Sequence, residues 1–356
     1  MGMKTADQPQ LEDRRAPRKR KKRRDGAARR VRNLAAVLAV VCIGGAVAAA
    51  VHLDRSQRAK AEPITASVKR FAAKQTARAA LPVPPRETAA TVRLDQEIVS
   101  KYAILIDLNT NTVLAEKSPD AIISPASMTK ILTVLVAAER LKKPDALCTV
   151  TSGVTDFCYR NGCSTANFCV GEQVPVRDLF YGTILPSGAD AAMTLSARTA
   201  GTQTAFTALM NQKLRALGLN KTANFTNCVG LYDKNHHCTV RDMAMILREA
   251  VKNDFCRQVL STRTYTTSAT AQHPQGLTVS NWFLRRIEDK DMGGISVQCA
   301  KTGYVRQSGS CAASYATDPS GNGYLCVTGM STSSWRCIYD QVALYKQFAA
   351  AAHPAK

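Results

Sequence analysis

The sequence predicts an α/β protein of the α+β type. An antiparallel sheet is built from both ends of one folded domain, with flanking helices and a mainly helical second lobe. Three observations predict this. Extended apolar runs come early, at residues 102–108 and 113–117, and again late, at 294–301, 310–317 and 324–329. Segments with helical apolar spacing fill the interval between 176 and 253. Strands at both ends with helices between them pair across the length of the chain and leave the helices to form their own layer. No internal repeat is evident.

The amino-terminal third is of a different kind. The chain has 356 residues and a formal net charge of +21, unevenly placed: thirteen Lys/Arg face four Asp/Glu in residues 1–32, and nine face three in 52–93. A basic chain invites a nucleic-acid reading, and Arg18-Lys19-Arg20-Lys21-Lys22-Arg23-Arg24 would serve as an electrostatic tail. The neighbouring apolar run decides against it. Residues 34–51 contain only Ala, Val, Leu, Ile, Gly and Cys42. At 1.5 Å per residue this run spans ~27 Å, close to the ~30 Å hydrocarbon core. Lys and Arg just before such a run hold it cytoplasmic side in, so the tail is topogenic and no nucleic acid is expected. The expected organisation is a basic cytoplasmic tail (1–33), a transmembrane signal-anchor (34–53), a disordered Ala/Pro/basic linker (54–92) and a folded domain (93–352). Two processing outcomes stay open. Ala46-Val47-Ala48 resembles a signal-peptidase site, whereas the length of the apolar run favours a retained anchor. Both deliver the folded domain outside the membrane, and in the cleaved case it is secreted.

In the folded domain, 102–108 and 113–117 read as a hairpin around Asn109-Thr110-Asn111-Thr112. Ser124-Pro125-Ala126 then stops extended structure, and a run to Leu141 without Gly or Pro reads as a buried helix beginning at Ser127. Residues 148–171 are polar, rich in Gly, Asn, Ser and Cys, and without periodicity. Helices are expected at 176–185, from 189 to about 199, at 205–217 closed by Gly218, and at 239–253, where Val240, Met243, Ala244, Ile246, Leu247 and Val251 share a face. Strands come next at 262–267 and 294–301, then a meander around Asp318-Pro319-Ser320-Gly321-Asn322-Gly323, and 334–351 is a last helix.

Eleven of the twelve cysteines lie after Tyr102, which suggests disulfides in an oxidising compartment. Cys228 and Cys238 bracket a short polar loop and are the first candidate pair, while Cys148, Cys158, Cys163 and Cys169 crowd one region and offer one or two more. Eleven is odd, so at least one thiol is free or pairs between chains. No Cys-x-x-Cys occurs and His236-His237 are adjacent, so no metal is expected.

Ser127 and Lys130 lie three residues apart at a helix start, on one face. A serine hydroxyl is a poor nucleophile until a base takes its proton, and a lysine serves if its pKa is depressed. Alone, the pair is better described as an N-cap serine beside a solvated lysine. Two further elements change that description: Ser187-Gly188-Ala189 between helices, and Lys301-Thr302-Gly303 on a late strand. Ser-x-x-Lys, a Ser-x-x triplet and Lys-Thr-Gly, in that order, are the three parts of penicillin-interacting serine acyl enzymes.

With its flanks (Pro125-Ala126-Ser127-Met128-Thr129-Lys130, Leu185-Pro186-Ser187-Gly188-Ala189-Asp190, Asn227-Cys228-Val229-Gly230-Leu231, Lys301-Thr302-Gly303-Tyr304), residues 94–348 closely resemble the serine D-alanyl-D-alanine carboxypeptidases. These are low-molecular-mass penicillin-binding proteins of bacteria. The resemblance implies a DD-peptidase/β-lactamase-like fold without cofactor, on a bacterial cell membrane. Its substrate would be the peptidoglycan stem peptide, with β-lactam antibiotics as acylating inhibitors. It further implies that Ser127 attacks the carbonyl between two terminal D-alanines, that Lys130 accepts the proton and that Ser187 relays it to the leaving nitrogen. Lys301 would supply positive charge to the substrate carboxylate and help keep Lys130 neutral, and Thr302 would hydrogen-bond that carboxylate. The amides of Ser127 and Tyr304, beside Gly303, would form the oxyanion hole. Arg336 falls where relatives place a carboxylate-binding arginine; a surface charge at a helix start is the competing description.

Two departures stand out. The family triplet is usually Ser-x-Asn, and here Ala189 is third; the missing amide removes a hydrogen bond of ~1–3 kcal/mol if buried. Asp190 offers a partial replacement, but a carboxylate there would pair with Lys130 and raise its pKa, against a base role. The second departure is that no carboxy-terminal β-domain or amphipathic anchor of the kind many relatives carry is expected, so anchoring would fall to residues 34–51. Two rival functions remain. A β-lactamase would need a Glu for deacylation, and residues 191–237 contain none. A weakened penicillin-sensing or wall-binding module would acylate without turning over.

Overall fold

In a computed structural model of the chain, which describes residues 81–353, the period-two pattern of the strands sets the layers. In β2 (Tyr102–Asp107) the side chains of Ile104 and Ile106 enter one apolar cluster, and those of Ala103 and Leu105 enter another on the opposite face. Leu325 and Val327 of the carboxy-terminal strand alternate with Tyr324 and Cys326 in the same way. Both faces are therefore buried, which requires helices on both sides.

The sheet has six strands in the order β1-β3-β2-β10-β9-β8: β1 (Val92–Arg93), β2, β3 (Thr112–Lys117), β8 (Ser296–Val305), β9 (Gly309–Thr317) and β10 (Gly323–Ser331). The earliest and latest strands meet at its centre, where Ile106 opposes Leu325 and Ile104 opposes Val327 in antiparallel register. The pairs are antiparallel except β1–β3, which is parallel. The sheet assembled from both ends of the domain is thus as expected.

One face carries α9 (Ser334–Leu344), running through a π-helical turn at Tyr345–Ala349, and the short α8 (Trp282–Ile287). The other face carries α1 (Thr129–Ala138) and α6 (Val240–Lys252). Every residue of α1 is buried, as a Gly- and Pro-free apolar run should be. A capping box, with Thr239 and Asp242 bonding each other's backbone amides, starts α6. The second lobe is helical: α2 (Ser152–Arg160), α3 (Val176–Ile184), α4 (Ala189–Ala200) and α5 (Gln203–Ala216). α7 (Asp254–Ser261) and two ribbons, β4 (Leu147–Thr149) with β5 (Gln173–Pro175) and β6 (Thr264–Thr266) with β7 (Thr278–Ser280), complete it.

Several expectations need correction. Residues 148–171 are not irregular: α2 lies among them, and its polar exposed face masked the helical period. The helices α7 and α8 were not expected, being one to two turns long. β8 runs on past Lys301, so Lys301-Thr302-Gly303 sits within a strand rather than at its end. Residues 81–91, assigned to the linker, lie against the sheet edge. The Arg86 amide donates to Asn111 O (3.1 Å), the Val113 amide to Arg86 O (2.9 Å), and Arg248 to Val83 O (3.0 Å). A Pro-rich strand has few amides to offer and docks through its carbonyls.

All eleven cysteines among the described residues are free thiols. Cys228 and Cys238 are both buried but unpaired. The Cys228 sulfur lies 3.9 Å from Ala192 O, while Cys238 joins Ile123 in an isolated bridge. Most of these cysteines act as small apolar core residues. No helix among the described residues is long and apolar enough to cross a membrane, and the run at 34–51 lies outside them.

The junction of α9 with the chain entering β2 depends on one carboxylate. Buried Asp340 accepts the Ser100 amide (2.7 Å), the Ser100 hydroxyl (2.6 Å) and the Val99 amide (3.2 Å). Asp340→Ala leaves these donors unpaired in a dry site and should cost about 3 kcal/mol of stability, seen as a lower urea midpoint at unchanged m-value.

Candidate active site

The turn before α1 is a 3-10 segment, Ala126–Met128, in which Ala126 takes the left-handed conformation (φ 46°). Two glycines allow it. At Gly230 (φ 89°) an added Cβ would fall 1.9 Å from Ala126 O, and at Gly303 it would fall 2.9 Å from both Ser127 N and Cys311 Sγ. The 227–231 loop and β8 thus close on the backbone of Ser127 from two sides, at distances no side chain would permit. Asn227 shapes the loop: its Oδ1 accepts the amides of Val229, Gly230 and Leu231 (3.2, 2.7 and 3.1 Å).

Within this frame Lys130 Nζ lies 3.0 Å from Ser127 Oγ and donates to Val229 O at 2.7 Å. Lys130 is buried and Ser127 is half-buried. Burial lowers the lysine to about 8, with the Cys228 side chain and, more weakly, Asp190 acting in the opposite direction. Lys301, equally buried, places Nζ 2.9 Å from Ser187 Oγ and 2.8 Å from Thr302 O. It is held well below the ordinary lysine range by burial and then by the charge of Lys130. Ser187 is itself left-handed (φ 64°), a conformation a serine adopts only under constraint.

A cleft of about 320 Å³ exposes this chemistry, lined by Ser127, Ser187, Thr302, Gly303 and Tyr304 among others. Five of the expected residues therefore line one cavity, and Lys130 and Lys301 sit directly behind it. Arg336 is not in its lining. Its guanidinium donates to Glu97 O (3.0 Å) and lies 3.3 Å from Asp340, as the surface description of a helix-start charge anticipates. The guanidinium that does line the cleft is that of Arg286, on α8, set between the rings of Trp282 (5.1 Å) and Trp335 (4.7 Å). Sequence reasoning missed it because α8 is short, although Trp282 and Arg286 stand at i, i+4 spacing.

Asp190 does not pair with Lys130. It is buried, and its oxygens accept the amides of Ala166 (2.8 Å) and Phe168 (3.1 Å), so it holds a strap of chain against α4. Burial raises its pKa, and those amides act against that. Ala189 is buried and sends no polar atom to the cleft; its amide donates to Ser164 O (2.8 Å), and Ser164 lines the cleft. Behind the serine turn, His236 accepts the Thr226 amide at Nδ1 (2.9 Å) and so presents Nε2–H to Thr129 Oγ1 (2.8 Å). Burial lowers this imidazole to about 4, so it stays neutral and serves to position α1.

Cys169, Glu172 and His273 form one cluster of metal-ligating types away from the cleft. His273 Nδ1 is already engaged by Glu172 at 3.0 Å. Cys169 Sγ lies 4.0 Å from His273 Nε2, and the three residues are fewer than the four ligands a structural tetrahedral site uses.

A nucleophilic serine, a buried lysine at hydrogen-bond distance and a second Ser–Lys pair across the cleft define a serine hydrolase of the acyl-enzyme type. Known proteins agree. The family model described as D-alanyl-D-alanine carboxypeptidase matches residues 87–330, and the chain belongs to that family. It is 32% identical over 202 residues to a Streptomyces D-alanyl-D-alanine carboxypeptidase, covering 55% of this chain and 69% of that protein. It is 36% identical over 163 residues to Escherichia coli DacA (44% and 40%) and 32% over 153 residues to Bacillus subtilis DacF (43% and 39%), both named D-alanyl-D-alanine carboxypeptidases. The matches to these two span about two fifths of their lengths. The crystal structure of a Streptomyces DD-transpeptidase superposes with a TM-score of 0.63 at 28% identity, covering 70% of this chain and 97% of that one.

Gly230→Ala should place a methyl group against Ala126 O and displace the serine turn. We expect a loss of about 2–4 kcal/mol in stability. Acylation of the folded fraction should slow about 100-fold, as misplacement of a reacting atom by ~1 Å produces, measured as the rate of covalent labelling by penicillin.

Proposed function

We propose that the protein is a serine D-Ala-D-Ala carboxypeptidase, acting on the stem pentapeptide of peptidoglycan outside the cell membrane and acylated by β-lactams. The observation that carries this is the 3.0 Å contact between Ser127 Oγ and a lysine that burial brings to about 8. Ser127 attacks the carbonyl between the two terminal D-alanines while its proton passes to neutral Lys130. The C–N bond breaks as Ser187 hands its proton to the leaving D-alanine and is reprotonated by Lys130; water then hydrolyses the ester, giving one proton to neutral Lys130, which returns it to Ser127 Oγ. The amides of Ser127 and Tyr304 face the developing oxyanion. Thr302, Lys301 and Arg286 present donors and charge to the terminal carboxylate.

The two lysines work as a pair. Both are buried in the same dry pocket, so charging both is costly. A substrate carboxylate beside Lys301 favours the charge there and leaves Lys130 neutral when a base is needed. Residues 34–51 would tether the domain to the membrane, and cleavage of that segment would release it. The β-lactamase reading lacks a deacylating Glu in 191–237.

Fluorescent penicillin should label the protein covalently, and Ser127→Ala should abolish the label. A peptide ending in D-Ala-D-Ala should release D-alanine, and labelling without release would establish the sensing module instead. Rapid multiple turnover of a chromogenic cephalosporin would favour a β-lactamase.

The pH dependence has a definite sign. Lys130 accepts a proton only when neutral, and below its pKa it is protonated. The second-order rate of penicillin acylation should therefore rise about tenfold per pH unit and level off near pH 8. A profile flat from pH 6 to 9 would rule out Lys130 as the base.

A further inference from the structure

The carboxy-terminal end of α2 brings two cysteines together. Gly162 is left-handed (φ 57°). The Cys163 amide donates to Cys158 O (2.9 Å) and the Gly162 amide to Tyr159 O (3.2 Å), the paired bonds of a Schellman closure. This closure folds the residue after the glycine back onto the last helical turn, against the side chain five positions earlier. Those two residues are Cys163 and Cys158. Cys158 is buried and Cys163 half-buried, and both line a second cavity of about 570 Å³ together with Asp190 and Phe168.

The two thiols are not equivalent. The neighbouring Cys158 side chain holds Cys163 below the ordinary thiol range, while Cys163 and then burial push Cys158 upward. An accessible sulfur that ionises readily, backed by a buried protonated one, is the asymmetry of an attacking and a resolving thiol. Of the other nine thiols among the described residues, eight are buried and only Cys169 is exposed.

We propose that Cys163 and Cys158 form a redox-active dithiol whose substrate is an accessible aliphatic disulfide. The Cys163 thiolate attacks one sulfur of the donor, forming a mixed disulfide and expelling the first donor thiolate. Cys158 gives its proton to that thiolate and attacks Cys163 Sγ, closing the Cys158–Cys163 disulfide and releasing the second donor sulfur, which takes the proton lost by Cys163. One donor disulfide is reduced to two thiols and one protein disulfide forms. The link would tie α2 to the strap that begins at Ser164, whose carbonyl holds Ala189 and whose next amides hold Asp190. It would thereby fix one wall of the catalytic cleft. The proposal does not depend on the reaction assigned to Ser127.

The test uses the reduced full chain, oxidised glutathione as donor, acid quench, alkylation and trypsin. Arg160 lies between the two cysteines, so cleavage there yields two peptides that stay joined only if the link has formed. The expected product is this joined pair, about 2 Da lighter than its reduced halves, with Cys148 and Cys169 alkylated. Cys158→Ser should instead accumulate glutathione on Cys163, and Cys163→Ser should leave Cys158 unmodified. Circular dichroism of each variant establishes that it is folded, and the wild-type map stands without them. Full alkylation of Cys158 and Cys163 in the native protein, or a link from Cys163 to Cys169, would overturn the proposal.

Discussion

The burial of Lys130 is the constraint on which the rest of the site depends. An ammonium group in water stays charged at neutral pH and cannot take a proton from serine. Removing it from water is costly, and the fold does so without leaving the nitrogen unpartnered: it meets Val229 O on one side and Ser127 Oγ on the other. The carbonyl is where it is because Asn227 gathers three successive amides of its loop, and Gly230 lets that loop reach the serine turn. Gly303 does the same for β8 from the opposite side. The nucleophile, its base and the strand that would bind substrate are thus fixed by close backbone approach.

The topology explains why these parts can meet. Ser127 leads out of the amino-terminal strands, Ser187 heads a helix of the second lobe, and Lys301 lies on a strand from the other end of the domain. Pairing β2 with β10 at the centre of the sheet closes a loop of more than two hundred residues. Such long-range closure is entropically costly, and burial on both faces of the central strands offsets it. The cleft lies along the seam between the sheet and the helical lobe, a common place for sites.

Much of this was legible in the sequence, and what was not has physical causes. The hairpin, α1, α6 and the late meander announce themselves through uninterrupted apolar periods. The serine, the two lysines and the Lys-Thr-Gly strand emerge from ordered motifs. Short elements carry too few residues to show a period, which is how α7 and α8 escaped, and Arg286 with them. Arg336 was misplaced because a chain position at a helix start does not say which way a long side chain turns; Asp340, four residues on, draws it from the cleft. Cysteine spacing misled as well. Eleven thiols in an expected extracytoplasmic domain suggested bridges, yet most are spread through the core, where a thiol packs as a small apolar group.

Ala189 and Asp190 are best understood together. An amide at position 189 would be a polar group to satisfy beside a buried lysine; alanine needs no partner, and its backbone amide is already bound by Ser164. Asp190 would oppose the base if it faced Lys130, but its oxygens are occupied by two amides of the strap. The strap therefore has two duties. It satisfies the backbone at the start of α4, and it fixes the carboxylate whose field would otherwise fall more strongly on the lysine. In this chain a backbone segment holds the two residues that open α4, while the second serine meets Lys301 Nζ directly. At its origin the strap is anchored to the capped end of α2, where a helix terminus, two thiols and the cleft wall meet.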